Sequence, residues 1–216
     1  MKRDIVIIGG GEHTNVIVSS ILLMKNKWNL LGVTDNERPN YDISWLGTDE
    51  TFINKAESYL NAYLIIGVGN KKIREKLIYK YREFCKQFIT VIHPSVVIAR
   101  SAKIDSGVFF SANAVIQSET KICKHAIINT GAIVEHDCTI GENTHIAPGV
   151  VMGGGCNIGN NCLIGIGATI KDHITIGDNV TVGAGAVVIK DIEDNQTVVG
   201  VPAKPIKALM STDYTD

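Results

Sequence analysis

The stretch that decides the fold reads Ile128-Asn129-Thr130-Gly131-Ala132-Ile133-Val134-Glu135-His136-Asp137-Cys138-Thr139-Ile140-Gly141-Glu142-Asn143-Thr144-His145-Ile146. A large apolar residue stands at every sixth position: Ile128, Val134, Ile140 and Ile146. A small or β-branched residue stands two places before each of the last three, at Ala132, Cys138 and Thr144. Working outward, the same beat runs without gap or insertion from Ile98 to Val188, with Ala102, Ala114, Ala126, Cys156, Cys162, Ala168 and Ala186 as further small partners. A helix repeats at about 3.6 residues and a strand at about 2, so neither sustains an uninterrupted six. A six-residue repeat is the pattern of a parallel β-helix, and at three hexapeptides per coil the run predicts about five coils. Glycines that directly follow the apolar residue, at Gly141, Gly153, Gly159, Gly165, Gly177 and Gly183, are expected to turn the corners with positive φ.

Upstream the period changes. Asp4-Ile5-Val6-Ile7-Ile8 is a β-branched strand that ends in Gly9-Gly10-Gly11, and Val16 to Leu23 has helical apolar spacing. Leu30 to Thr34 is a second strand, and Tyr63 to Ile66 a third that ends at Gly67-Val68-Gly69-Asn70. Residues 71–86 form an amphipathic helix with Ile73, Leu77, Ile78, Tyr81 and Phe84 as its apolar stripe and Asn70 as N-cap, and Phe88 to Ile92 is a fourth strand. Strands alternating with helices imply a small, Rossmann-like parallel sheet. His93-Pro94-Ser95 marks the change of rhythm, which divides the chain into an α/β domain over 1–93, a β-helix over 94–190 and a tail over 191–216. The α/β domain is expected to cap one end of the coil stack and the tail the other.

The totals narrow the function. A net charge of −1 provides no field to recruit nucleic acid or a membrane surface. No apolar run approaches the roughly 20 residues of a membrane span, and Met1-Lys2-Arg3-Asp4 is no secretory leader, so a cytoplasmic protein is expected. The cysteines Cys85, Cys123, Cys138, Cys156 and Cys162 form no C-x-x-C pair, so no metal is expected. Cys138, Cys156 and Cys162 occupy the small inward place of the repeat and read as buried core.

Several residues could carry chemistry. Gly9 to Thr14 lies between a strand and a helix, where backbone N–H groups attract phosphate, although Thr14 replaces the last glycine of G-x-G-x-x-G. Asp35 and Asn36 close the second strand, where an acid can meet a ribose hydroxyl. His136 and Asp137 lie between inward Val134 and Cys138 and so face outward; a neighbouring carboxylate can fix a histidine's tautomer and raise its basicity. His145 is a second outward histidine, expected close to the pair along the stack. Gly153-Gly154-Gly155 bares backbone beside a corner, and Lys190, Lys204 and Lys207 could meet phosphates. His93, His125 and His173 read as structural or exposed.

With these stretches in place, the chain resembles bacterial nucleotide-sugar N-acetyltransferases of the NeuD/PglD type, grouped with sialic acid O-acetyltransferase-like proteins. The resemblance covers essentially the whole chain. It rests on Ile7-Ile8-Gly9-Gly10-Gly11, Gly69-Asn70 with Ile73-Arg74, Ile92-His93-Pro94-Ser95, Ile128 to Ala132 with Glu135 to Cys138, and Val199-Gly200-Val201-Pro202-Ala203-Lys204. It implies a left-handed β-helix, a homotrimer with each active site between two subunits, and acetyl-CoA as co-substrate along the groove. His136 then matches the catalytic base and Asp137 its acidic neighbour. Gly9, Gly11, His13, Asp35, Asn36, Gly69, Asn70 and Asn129 fall on the nucleotide-sugar side. His145, Gly154, Ile166, Gly167, Gly185, Lys190 and Pro202 fall on the acetyl-CoA side, Gly154 as a donor to the thioester. Glu12-His13-Thr14 departs from the family's usual Gly-His-Gly or Gly-His-Ala. The implied reaction is acetyl transfer to the amino group, at sugar carbon 4, of a nucleotide-linked deoxysugar for surface glycan synthesis. O-acetylation of a sugar hydroxyl would use the same residues; a non-catalytic nucleotide-sugar-binding scaffold would not need Asn129, His136, Asp137 and His145 together.

Overall fold

The computed structural model describes residues 2–24, 27–55, 59, 61–83 and 87–206. Its first part is a three-stranded parallel sheet in the order β2-β1-β3, from β1 (Arg3–Ile8), β2 (Trp28–Thr34) and β3 (Tyr63–Ile66). The central strand is apolar on both faces because both are covered. Ile5 and Ile7 pack with Ile17 and Ile21 of α1 (Glu12–Leu23), whereas Val6 and Ile8 pack with Phe52 of α2 (Asp49–Asn54) and Tyr81 of α3 (Lys71–Tyr81). Asn70 caps α3 as its sequence suggests: its Oδ1 accepts from Lys72 N at 3.0 Å and Ile73 N at 3.2 Å.

The expected fourth strand is divided between two structures. Phe88 bridges Leu64 of the small sheet, but Val91–Ile92 pairs in parallel with Phe109–Phe110 and is already part of the β-helix. The coil stack therefore begins before His93. It also ends later than expected: Thr197–Val199 pairs onto Thr181–Val182, and Lys204–Ile206 folds back antiparallel upon it. The face that gains these strands consequently has eight, seven parallel and one antiparallel, where about five coils were expected, and the other two faces have six and five. The remaining tail, 207–216 with Lys207, and the stretch 84–86 with Phe84 and Cys85 lie outside the described residues.

Each coil is a triangle of two-residue strands. The sixth-place residues point inward and, from Phe110 to Val188, form one continuous buried core with their small partners. Full burial of one such side chain is worth roughly 1.5–3 kcal/mol before conformational entropy is counted. The residue before each inward one points outward, and the three faces of the prism differ there. The first face presents Val91, Phe109 and Ile127, all buried, then His145, Leu163 and Thr181. The second presents Val97, Val115, Ile133, Val151, Thr169 and Val187. The third presents Lys103, Lys121, Thr139, Asn157 and Thr175.

The α/β domain covers the first face, not an end of the stack. Val91, Phe109 and Ile127 share a core with Ile5, Ile7, Ile17 and Ile21. Ile98, Ala102 and Ile104, at the N-terminal end, stay only half-buried. The outward residues of the first face are the reason: at Val91, Phe109 and Ile127 they are as apolar as those inside.

The corner glycines are also not what their position suggested. Positive φ falls three places after the inward residue, at Gly107, Asn113, Glu119, His125, Gly131, Asp137, Asn143, Gly149, Gly155, Asn161, Gly167, His173, Asn179 and Gly185. Gly141, Gly153, Gly159, Gly165, Gly177 and Gly183 are bare for a different reason, because a Cβ there would strike the next coil; at Gly153 it would meet Asp172 N at 2.6 Å.

Candidate active site

The edge between the second and third faces carries His136 and Asp137. Asp137 sits in the left-handed region at φ 58°, which turns its carboxylate back onto the preceding imidazole. His136 Nδ1 lies 2.8 Å from Asp137 Oδ2, and the two side chains are 57% and 64% exposed. A carboxylate accepts, so Nδ1 is the donor in this pair and Nε2 is left to face another partner. The ring lies over Gly154 in the next coil, where a Cβ would come within 2.6 Å of its Cε1. The neighbouring amides of Gly153 and Gly155 are taken by Ile170 O and His136 O. Cys138 points inward, fully buried, with Sγ 3.4 Å from Gly153 O. Its hydrogen bond to the Cys156 thiol and its burial push the Cys138 thiol well above the usual range, so it is no nucleophile.

The C-terminal ends of β1, β2 and β3 open on a cavity of about 90 Å³ lined by Gly9, Thr34, Asp35, Asn36, Asp49, Val68, Ile73 and Leu77. Ile73 faces this cavity and not the helix core, contrary to the apolar stripe read from the sequence. The Asp35 carboxylate accepts from Gly10 N and from Asn36 N at 2.6 Å, so it holds the glycine turn in shape. Thr14 explains its own departure from the glycine pattern: its buried Oγ1 donates toward Gly9 O at 2.7 Å and Gly67 O at 3.0 Å and pins the two glycine turns together. Gly11, the N-cap of α1, is exposed and has open space at its Cα.

His145 is not beside His136. It stands on the first face, under the α/β domain, because the half coil between the two carries it round to another side of the prism. Its Nε2 lies 3.1 Å from Asn129 Nδ2, whose Oδ1 accepts from Thr130 N. His13 packs edge-on to Phe109, with its centroid 6.2 Å from that of His145. Burial first, then the Arg74 charge, lowers His13 to about 4 and His145 to about 3, so both are neutral near pH 7. Among the described residues, His13 Nε2 is buried without a hydrogen-bond partner. His125, read as structural, is buried against Phe88 with a centroid separation of 4.6 Å.

The residues expected to hold acetyl-CoA divide between two edges. Ile166, Gly167 and Gly185 line the edge between the first and second faces, below Asn129, and Pro202 closes its C-terminal end where Ala203 N bonds Val187 O. Gly154 and Lys190 lie on the other edge, with His136. The two edges flank the second face, and one chain alone does not bring them together.

Two families match the chain: the PglD N-terminal domain over residues 4–81, and the bacterial transferase hexapeptide (six repeats) over 119–154 and 155–190. The solved structure of PerB from Caulobacter crescentus, in complex with CoA and GDP-perosamine, is similar at 33% identity and TM-score 0.89, over 94% of this chain and 97% of that one. The acetyltransferase domain of PglB from Neisseria gonorrhoeae, in complex with acetyl coenzyme A, is similar at 31% identity and TM-score 0.88, over 95% and 100%. The chain belongs to the PglD-type nucleotide-sugar N-acetyltransferase family. A curated relative, the UDP-N-acetylbacillosamine N-acetyltransferase of Bacillus subtilis, is 30% identical over 113 residues, about half the length of each protein. The β-helix of this PglD-type family member is left-handed, as in those acetyltransferases. The candidate site contains residues to which sequence reasoning gave no role: Thr14 and Arg74, named there only within motifs, and Phe109 and Asn143. Arg74 left one signal, a cation in register with Leu77, Ile78 and Tyr81 on the inner stripe of α3.

Proposed function

We propose that the protein transfers the acetyl group of acetyl-CoA to the 4-amino group of a nucleotide-linked amino-deoxysugar. The observation that carries this reading is the exposed His136–Asp137 pair at 2.8 Å over the bare backbone of Gly154. The neutral amine attacks the thioester carbonyl. The C–N bond forms, the C–S bond breaks, and the amine proton passes to His136 Nε2, which returns it to the leaving CoA sulfur. Gly154 N–H would donate to the developing oxyanion. No acyl-enzyme is required, since Cys138 faces the core.

The nucleotide would occupy the cavity at Gly9, Asp35, Asn36 and Val68, with Gly11, Gly69 and Asn70 at its rim and the sugar reaching toward His13 and Asn129. The second face supports a homotrimer. Its outward residues are apolar except Thr169, and Val97 and Val151 are 61% and 42% exposed in a single chain. Threefold packing on that face would set the Ile166–Gly167–Gly185 edge of one copy against the His136–Gly154–Lys190 edge of the next, with His145 acting through Asn129. None of the described helices is long and apolar enough to cross a membrane, in keeping with a cytoplasmic enzyme supplied with acetyl-CoA.

The test is acetylation of UDP-, GDP- and dTDP-linked 4-amino sugars, following CoA release and the product's mass and N- or O-linkage. Turnover with an amide product is expected for one nucleotide. An ester product, or no CoA release with any of them, would overturn the reading.

A further inference from the structure

Arg74 is the residue for which the proposed chemistry has found no use. It is 1% exposed, and among the described residues it forms no ion pair. An unpaired buried cation is costly, several kcal/mol of desolvation for an ion, so its hydrogen bonds must accomplish something. Those bonds join three carbonyls. Nη1 donates to Val68 O at 3.1 Å and Gly69 O at 2.7 Å, in the second glycine turn of the α/β domain. Nη2 donates to Asn143 O at 2.7 Å, in the β-helix. Val68 lines the nucleotide cavity. Asn143 holds a left-handed corner two residues before His145, and His145 meets Asn129. One planar guanidinium thus spans the nucleotide cavity and the coil behind the sugar side.

The rest of α3 reads the same edge. Asn143, Asn161 and Asn179 stack there at left-handed corners, and Asn143 Nδ2 donates to Asn161 Oδ1 at 2.7 Å and to Lys71 O at 3.0 Å. Asn161 Nδ2 donates to Glu75 Oε1 at 3.1 Å, and Lys71 Nζ to Thr181 Oγ1 at 3.3 Å. These contacts hold the helix to the rail; among these residues of α3, Arg74 is the one whose side chain also reaches the glycine turn, where the His145 ring bonds the Gly69 backbone as well.

We infer that Arg74 is a positioning residue for the transfer: its fork sets the nucleotide cavity at a fixed distance from Asn129 and His145 and so aims the bound sugar amine. The inference rests on the acetyl-transfer reading above. A lysine at this place would offer a point charge instead of a fork and could not hold both sides in one geometry.

The test compares Arg74→Met, Arg74→Lys and Lys71→Met in the full-length protein. Arg74→Met should lower kcat/KM for the nucleotide sugar by about 10²-fold, the cost of misplacing a reactant by about 1 Å, with the KM for acetyl-CoA unchanged. Arg74→Lys should recover part of that loss. Lys71→Met removes a rail contact only; it should lower the melting temperature and keep kcat/KM. Amide exchange at Gly69 and at His145 should speed up together in Arg74→Met and not in Lys71→Met. Wild-type kcat/KM in Arg74→Met overturns the inference, as does equal loss of activity in Arg74→Met and Lys71→Met, which would mean that both merely join the domains. If Arg74→Met does not fold, full activity in Arg74→Lys overturns it. If the wild type acetylates no amino sugar, the proposed function fails separately, and unaltered exchange at either amide still overturns the link.

Discussion

His136 has one ring nitrogen committed to Asp137 and the other free, and more than half its side chain is exposed. His136→Ala should therefore leave the fold unchanged while kcat falls by about 10² to 10⁴, the usual contribution of a general base, or about 3 to 5 kcal/mol. A normal melting curve with a collapsed rate is the expected signature. Asp137→Asn should cost less, because asparagine tolerates the left-handed corner and the imidazole remains, only less well oriented. Cys138→Ala should do the reverse, with stability lost to a small cavity and activity retained; abolished turnover in a folded Cys138→Ala protein would refute the inward register. At Asp35 the structure alters the expectation. Its oxygens serve Gly10 N and Asn36 N, so Asp35→Ala should raise the KM for nucleotide sugar through a loosened glycine turn, with the KM for acetyl-CoA nearly constant. An effect on acetyl-CoA alone would place the nucleotide elsewhere.

At the scale of the coil, glycine serves two purposes that composition does not distinguish. Gly141 is bare because the Gly159 carbonyl of the next coil occupies the place of a Cβ, whereas Gly149 has a φ of 68° and open space around it. Gly141→Ala should lower the melting temperature sharply, since backbone must move. Gly149→Asn should be nearly neutral, because Asn113 already holds the same corner two coils earlier and Asn143 a like corner on the neighbouring edge. Calorimetry on the two variants checks both; a neutral Gly141→Ala would mean that the coils are not stacked as described. The repeat itself was legible from sixteen sixth-place residues, Ile98 to Val188. The positive-φ place was not. It is the third residue after the inward one and admits Gly, Asn, Asp, His or Glu, so no residue type marks it.

For the whole molecule, two equilibria depend on surfaces that the single chain leaves unfinished or strained. A charge at Val151, in the middle of the apolar second face, should dissociate the proposed trimer and abolish activity by separating the two edges of the site. Sedimentation of Val151→Glu against wild type tests this, and an active monomer would refute the shared site. The second equilibrium is protonation at the domain junction. His13 and His125 are lowered to about 4 and His145 to about 3, each first by burial and then by the Arg74 charge. The unfolded chain binds protons at these histidines near pH 6.5, before the folded one does. Stability from this source is therefore fully present above about pH 6.5 and is lost progressively as pH falls toward about 4 for His13 and His125 and about 3 for His145. Melting temperature should fall over that window, and less steeply when His13, His125 and His145 are replaced by glutamine; an identical slope would show that other groups govern it.

The sequence by itself determined what depends on near neighbours along the chain. A period of six makes a β-helix whatever surrounds it, a β-branched run closed by glycines makes a strand and turn, and adjacency alone places Asp137 beside His136. What only the tertiary structure decided depends on residues one or more coils apart. A coil closes after 18 residues, so contacts between coils, such as the Asn143–Asn161 amide pair, follow no local pattern. The outward residues of the first face read as surface until the α/β domain is seen to cover them. The half coil between His136 and His145 sets them on different sides of the prism, and the docking puts His145 with His13; it also buries Arg74, which the sequence sets apart from its solvated neighbours Lys72 and Lys76 only by its register with Leu77, Ile78 and Tyr81. The burial of a charge is a property of two surfaces meeting, and neither surface is written in the six residues on either side of it.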